Sequence, residues 1–165
     1  MPQLSPDLQQ QLSTRVEQCY QLVERKLGRK FPRPQVLTNQ RGRIAGCALL
    51  QKNTLRFHPL IYQQNQAHFL EHVVAHEIAH LVVWQCYGKT PPHGKHWQWV
   101  MNDIFNLPAL RTHQYNTDNI GIRTVRYRCL CAEIPLSMNR HNKVIKGAVY
   151  CCKRCKSPLK EITEM

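Results

Sequence analysis

Apolar positions along this chain repeat at two distinct periods. Leu8, Leu12, Val16, Tyr20, Val23 and Leu27 recur at the spacing that lines one face of an α-helix. Ser5-Pro6-Asp7 precedes them with an N-cap hydroxyl, a first-turn proline and an acid at the positive end of the helix dipole, and Gly28 ends the run. The spacing predicts an amphipathic helix that needs a partner surface. Pro32 and Pro34 then break the chain before Val36-Leu37-Thr38, a short strand. Ile44 to Leu50 and Thr54 to Phe57, separated by Lys52-Asn53, have the form of a hairpin, so the simplest expectation is three short strands in a small antiparallel sheet.

From Ala67 to Tyr87 the period is helical again, but Phe69, Leu70, Val73, Val74, Ile78, Leu81, Val82 and Trp84 spread apolar surface over most sides. A helix of that kind is buried. Its polar residues Glu71, His72, His76, Glu77 and His80 would be costly in a core without a metal or hydrogen-bond partners. Gly88 closes the helix, Pro91-Pro92 forces an extended turn, and Lys95 to Phe105 forms a further helix with Trp97, Val100, Met101 and Ile104 on its apolar side. Residues 106 to 125 carry few strong patterns and are expected to be a loop leading to a second module. The chain shows no internal repeat and no low-complexity segment.

Within the buried helix, His76-Glu77-Ile78-Ala79-His80 sets two imidazoles one turn apart with a carboxylate beside the first. Residues four apart share a helix face, so both rings can converge on one metal ion while Glu77 sits close enough to accept a proton from water on that ion. A catalytic zinc typically takes three protein ligands and keeps a fourth position for water. The third is sought among His93, His96, His113 and Asp103. A metzincin would have Gly three residues after His80 and His three later; Val83 and Cys86 stand there and exclude that family. His72 and Glu71 are expected to be supporting or core residues, and His58, before Pro59, a structural one. Arg111, His113 and Tyr115 are candidates for stabilising an oxyanion, and either strand of the hairpin could offer an edge on which a substrate adds as a further strand.

Length and charge refine this picture. At 165 residues the chain suits one core domain plus a small appendage, placed at residues 1–122 and 123–165. No apolar run reaches membrane-spanning length and Met1 to Gln11 has no secretion-signal pattern, so a cytoplasmic protein without membrane association, a monomer, is expected. The formal net charge of +13 is concentrated in two clusters, Arg25, Lys26, Arg29, Lys30, Arg33, Arg41 and Arg43, then Arg123, Arg126, Arg128, Arg140, Lys143, Lys146, Lys153, Arg154, Lys156 and Lys160. Single-sign clusters with almost no interleaved acid favour a polyanionic partner, a nucleic acid. Of the eight cysteines, five fall between Cys129 and Cys155; Cys19, Cys47 and Cys86 lie in apolar segments as small core residues.

Cys129-Leu130-Cys131 followed by Cys152-Lys153-Arg154-Cys155 is a two-knuckle arrangement for a structural Cys₄ zinc, with Cys151 or His141 as alternates for one thiolate. Tyr127 and Tyr150 interleave with the cations there, either stacking on unpaired bases or forming the ribbon's small core. Phosphate contacts are expected from Arg126, Arg128, Arg140, Lys143, Lys146, Lys153 and Arg154, giving salt-sensitive binding of low sequence specificity.

His76-Glu77-Ile78-Ala79-His80 together with His93-Gly94-Lys95-His96-Trp97 resembles the SprT family, whose eukaryotic relatives are the Spartan proteases. The resemblance extends over Pro108 to Gln114 and the cysteine-bearing tail. It implies an α+β fold, a zincin-like helical metallopeptidase domain with a small antiparallel sheet, followed by a C-terminal zinc ribbon. It implies His93 as the third ligand beside His76 and His80, Glu77 as the catalytic acid and base, and Cys129, Cys131, Cys152 and Cys155 around a second zinc. Proteins attached to DNA are the implied substrates; the alternative is a non-catalytic zinc-containing nucleic-acid-binding or regulatory protein.

Overall fold

The computed structural model of this protein describes residues 4–112, 115 and 124–162. The chain divides into two compact units, Met1–Ile120 and Gly121–Met165. The fold is mixed, with helices and two small sheets.

In the first unit, helix α1 spans Pro6–Leu27. The Ser5 hydroxyl accepts the Leu8 N–H at 3.3 Å, and Gly28, at φ 65°, donates back to the Glu24 carbonyl at 2.8 Å. The left-handed turn at Gly28 is one that a residue with a side chain rarely adopts, which is why the helix stops there. The buried face is the one the spacing predicts, Leu8 through Val23, with Cys19 added and Leu27 only half-buried. Cys47 and Cys86 are half-buried, so only Cys19 of the three isolated cysteines is a full core residue.

One member of that face is an acid. Glu24 is 7% exposed, and its carboxylate accepts bonds from Arg33 at 2.6 Å, Lys30 at 2.9 Å and the Phe31 N–H at 3.0 Å. Arg33 also donates to Glu17 at 2.7 Å. This network ties α1 to the segment leading into the sheet.

Strands β1 (Gln35–Leu37), β2 (Gly46–Leu49) and β3 (Thr54–Phe57) form a sheet of order β1–β3–β2. The hairpin is antiparallel, but β1 pairs parallel with β3, so the sheet is mixed rather than antiparallel. The chain between β1 and β2 passes beyond the place that β3 later fills, so the returning strand enters between them and runs with β1. Two consequences follow for function. Strand β3 is central and has no free edge, while β2 is an outer strand. The turn between them holds a 3₁₀ segment, Leu50–Lys52, and a left-handed Asn53 at φ 44°.

Helix α2 (Pro59–Gln64) was not expected; the His58 Nδ1 caps it by accepting the Ile61 N–H at 3.4 Å, which gives His58 its structural role. Helical conformation then continues from α3 (Gln66–His68) through a π-helical segment, Phe69–Val73, into α4 (Val74–Tyr87). Arg15 of α1 donates to the carbonyls of Leu70 at 3.0 Å and Glu71 at 3.4 Å within that π segment. Helix α5 (Lys95–Trp99) continues into a second π segment, Val100–Ile104. The core gathers Leu12, Leu55, Phe57, Ile61, Tyr62, Phe69, Ile78, Leu81, Trp97 and Met101, each with almost no exposure. Glu71 is not among them: its side chain is 60% exposed and lies 3.5 Å from half-buried His72.

In the second unit, β4 (Thr124–Arg128) pairs antiparallel with β5 (Glu133–Ser137) and β6 (Lys160–Glu161), and α6 (Met138–Ile145) packs on β5. Tyr127 and Leu136 form its small core. Among the described residues, no helix is long and apolar enough to cross a membrane.

Candidate metal centre

Helix α4 carries His76, Glu77 and His80, and the turn before α5 carries His93. That turn is shaped by Gly94, whose N–H donates to the Pro91 carbonyl at 3.0 Å; a Cβ there would lie 3.2 Å from Pro91. The result is convergence. One ring nitrogen from each of His76, His80 and His93 lies within 4.8 Å of the others, and the Nε2 atoms of His76 and His93 are 3.2 Å apart. Trp97 backs the group, its ring centroid 4.8, 5.6 and 4.6 Å from those of His76, His80 and His93, and its indole N–H donates to the His76 carbonyl at 3.3 Å. Helix α5 thus both orients the rings and seals one side of them.

Three converging imidazole nitrogens suit a divalent transition metal, and their protonation state agrees. Burial, then the neighbouring His93, pushes His80 down to about 4. Burial, then Arg111, also lowers His93. Both rings are therefore neutral near pH 7, the form that ligates. The other candidates for third ligand lie elsewhere. His96 stacks on Tyr87 with centroids 4.0 Å apart, Asp103 is exposed on the second π segment, and His113 falls outside the described residues. His72 packs against His68, centroids 4.4 Å apart, and does not join the cluster.

Glu77 is 7% exposed, and burial pushes its carboxyl up to about 8, opposed by a backbone hydrogen bond from Ala48. It faces a cleft of about 280 Å³ lined by Arg43, Ile44, Ala45, Gly46, His76, Arg111, Thr112 and Tyr115. Arg111 and Tyr115, named from sequence as oxyanion candidates, both line this cleft. Tyr115 is hydrogen-bonded to His68 Nδ1 at 2.7 Å, and burial pushes its phenol up to about 12, so it stays protonated. Gly46 permits the close approach of β2 to α4: a Cβ would lie 2.9 Å from Glu77 Cγ and 3.0 Å from Val73 Cγ1. Sequence reasoning missed Gly46, Ala48 and Thr112, and named Arg43 only as part of a basic cluster. Only Gly46 left a trace, since a glycine inside a strand pattern marks close backbone approach.

The second cluster lies wholly in the second unit. The sulfurs of Cys129, Cys131, Cys152 and Cys155 are within 4.8 Å of one another, with Cys129 to Cys131 at 3.5 Å and Cys131 to Cys152 at 3.8 Å. Cys155 is lowered to about 5, first by hydrogen bonds from the Ser157 side chain and backbone, and Cys152 is lowered by the backbone N–H groups of Cys155 and Arg154. Cys131 moves the other way, to about 12, because it shares a proton with neighbouring sulfurs, Cys129 first. Four sulfurs this close cannot all ionise without a cation among them. The set therefore fits a thiophilic metal ion. Cys151 is exposed in a bridge with Pro158, and His141 Nδ1 lies 2.9 Å from the Tyr127 hydroxyl, so neither alternate joins the four.

Tyr127, fully buried, belongs to the core of the ribbon, whereas half-buried Tyr150 lies under Arg140 with the guanidinium 5.9 Å from its ring centroid. Lys143, Lys146, Lys153 and Arg154 are exposed. Arg126 and Arg128 are engaged with Glu133, at 2.7 and 3.6 Å. Arg123 lies outside the described residues.

Comparison with known proteins places this geometry. The model of the SprT-like family matches residues 16–115, which include α4, His93 and the residues lining the cleft. This chain belongs to the SprT-like family. It is 46% identical over 153 residues to Protein SprT of Shewanella oneidensis, covering 92% of this chain and 98% of that one. Protein SprT of Vibrio parahaemolyticus is 43% identical over 142 residues, 86% of each chain, and that of Escherichia coli K12 is 41% identical over 149 residues, 90% of each. No solved structure matches this chain. The SprT-like match ends at residue 115, but the alignments with Protein SprT cover most of the chain and so extend into the cysteine-bearing unit.

Proposed function

We propose that this SprT-like protein is a zinc metallopeptidase of zincin-like design, acting on proteins bound or crosslinked to DNA, with the basic cysteine ribbon holding nucleic acid. The observation that carries the hydrolase reading is the convergence of His76, His80 and His93, with His76 and the adjacent, buried Glu77 lining one cleft. His76, His80 and His93 would hold one zinc ion, and Cys129, Cys131, Cys152 and Cys155 a structural one. Bound at the histidines, zinc supplies a Lewis acid that polarises the scissile carbonyl and acidifies water.

The chain's own residues supply the rest. Glu77 takes the proton of the attacking water and delivers it to the leaving amine as the C–N bond breaks, so the water oxygen ends on the acyl carbon. A carboxyl raised by burial is suited to moving a proton in both directions near neutral pH. Arg111 and Tyr115 line the cleft as donors for the developing oxyanion. Strand β2 offers the edge for an extended substrate. The bond from the His58 N–H to the Ala45 carbonyl at 2.8 Å sets the phase of the hairpin, so Cys47 and Leu49 face β3 while Gly46 and Ala48 turn their backbone groups outward.

The DNA reading rests on charge. Residues 121–165 contain ten Lys and Arg against three acidic residues. The same excess favours the second reading, a non-catalytic nucleic-acid-binding protein. Glu77→Gln separates the two: cleavage of a DNA-bound basic protein, assayed with and without single-stranded DNA, should fall by at least about 10³-fold while zinc content and DNA affinity stay within two-fold. Unchanged cleavage in that variant would remove the basis of the hydrolase reading.

A further inference from the structure

The histidine cluster borders two surfaces of different character, both in the first unit, one through His76 and the other through His80. His76 and Glu77 line the cleft described above, where Arg43 and Arg111 are exposed cations without an ion-pair partner among the described residues. His80 lines a separate pocket of about 80 Å³ whose walls are Leu50, Val83, Trp84, Gly88 and Pro92, with Lys89 and Thr90 beside them. Val83 and Trp84 follow His80 at three and four residues, so they share its helix face. Leu50 and Trp84 also wall an adjoining hollow of about 400 Å³ together with Ala48 and Leu49, which makes the apolar surface continuous with β2.

Strand β2 connects the two surfaces. Its Gly46 end borders the cationic cleft and its Ala48–Leu49 end borders the apolar hollow. A peptide laid along this edge crosses the metal ligands on the way from one surface to the other. Its side chains on the two sides of the histidines therefore meet different chemistry.

We propose that the β2 edge selects extended peptides with a large apolar side chain on one side of the scissile bond, seated against Leu50, Val83 and Trp84, and an acidic side chain on the other, paired with Arg43 and Arg111. This assignment rests on the hydrolase reading for the position of the scissile bond. The occupant is a peptide strand rather than a folded partner because the outward backbone groups of Gly46 and the outward Ala48 carbonyl ask for strand pairing, the Ala48 N–H being engaged by Glu77. Charge complementarity selects the acid, since among the described residues lining the cleft Glu77 is the only acidic one, and it is buried.

The test is binding of fluorescent peptides to the zinc-loaded Glu77→Gln protein, followed by anisotropy, with a parallel map of the bonds the wild-type protein cuts in a peptide library. A parent peptide carrying Leu and Glu in the two positions should bind about ten-fold more tightly than versions with Ala for Leu or Lys for Glu. Adding Trp84→Ala, or Leu50→Ser in case the first perturbs folding, should erase the preference for Leu and leave that for Glu. Arg43→Glu with Arg111→Glu should invert the preference between Glu and Lys and leave that for Leu. Affinities within two-fold across the panel, or preferences that survive these substitutions, overturn the assignment. Wild-type cleavage without side-chain preference overturns the assignment while the hydrolase reading stands. A discriminating panel with no cleavage of any peptide overturns the hydrolase reading and keeps the two surfaces.

Discussion

Single residues at this site are held by what they lack as much as by what they bear. Gly46 is the sharpest case. Its missing side chain lets β2 press against α4, and the first atoms a Cβ would meet are Glu77 Cγ at 2.9 Å and Val73 Cγ1 at 3.0 Å. Glu77 Cγ lies partway along the side chain rather than at a mobile tip, so the carboxylate must move if the carbon does. Gly46→Ala should lower kcat/KM by about 10²-fold, the scale of a misplacement near one ångström, with zinc content unchanged. Denaturant unfolding should show a loss of about 1–3 kcal/mol from overpacking. Steady-state kinetics beside elemental analysis of the same preparation checks both statements, and full activity in the variant would mean that β2 does not fix the acid.

At the scale of elements, the helix bearing the histidines is interrupted by a π segment just ahead of the turn that carries His76 and His80. A π turn leaves carbonyls poorly served by the helix itself, and Arg15 of α1 supplies donors to Leu70 and Glu71. Arg15→Ala should cost about 1–2 kcal/mol, since a bond from a charged donor is replaced by water at a half-buried site. The readout is the midpoint of urea unfolding; no shift would show that the π segment stands without α1. In the ribbon the elements are too short to hold one another. Strand β6 has two residues, α6 has eight, and buried apolar side chains are few, so on the proposed reading a metal ion held by the four thiolates would supply the missing cohesion. Cys152→Ser, or a chelator added to the full chain, should collapse the amide resonances of residues 124–162 while those of the first unit stay dispersed.

For the whole molecule, pH acts on stability through the acid buried in α1. Arg33 first, then the Phe31 N–H and Lys30, hold the Glu24 carboxyl far below its ordinary value of 4.5. A carboxyl lowered by folding contributes stability that is complete above its unfolded value and fades as pH falls below it. Glu24→Gln should therefore melt at a lower temperature than the wild type at pH 6 to 7, and the gap should close as pH drops below about 4.5. A constant gap between pH 7 and pH 3 would assign the effect to shape rather than charge. In the proposed DNA-binding role the exposed Lys143, Lys146, Lys153 and Arg154 of the second unit would meet phosphate, while Arg126 and Arg128 share Glu133 and have less to offer one.

The sequence by itself determined α1 with both of its ends, the hairpin, the long buried helix with its His76 and His80 pair, and the helix after it. Each of these is local: a cap, a period, a glycine stop or a fixed spacing declares it within a few residues. Helix α2 escaped because it is short and its cap is an imidazole rather than a hydroxyl or carboxylate. What only the tertiary structure decided is non-local. Whether β1 runs parallel or antiparallel to β3 depends on where the chain passes between them, and His93 meets His76 and His80 across a turn whose shape no period encodes. Arg43 and Arg111, remote in sequence, face one cleft only because β2 and the segment after the second π turn converge there, and sequence spacing carries no information about that distance.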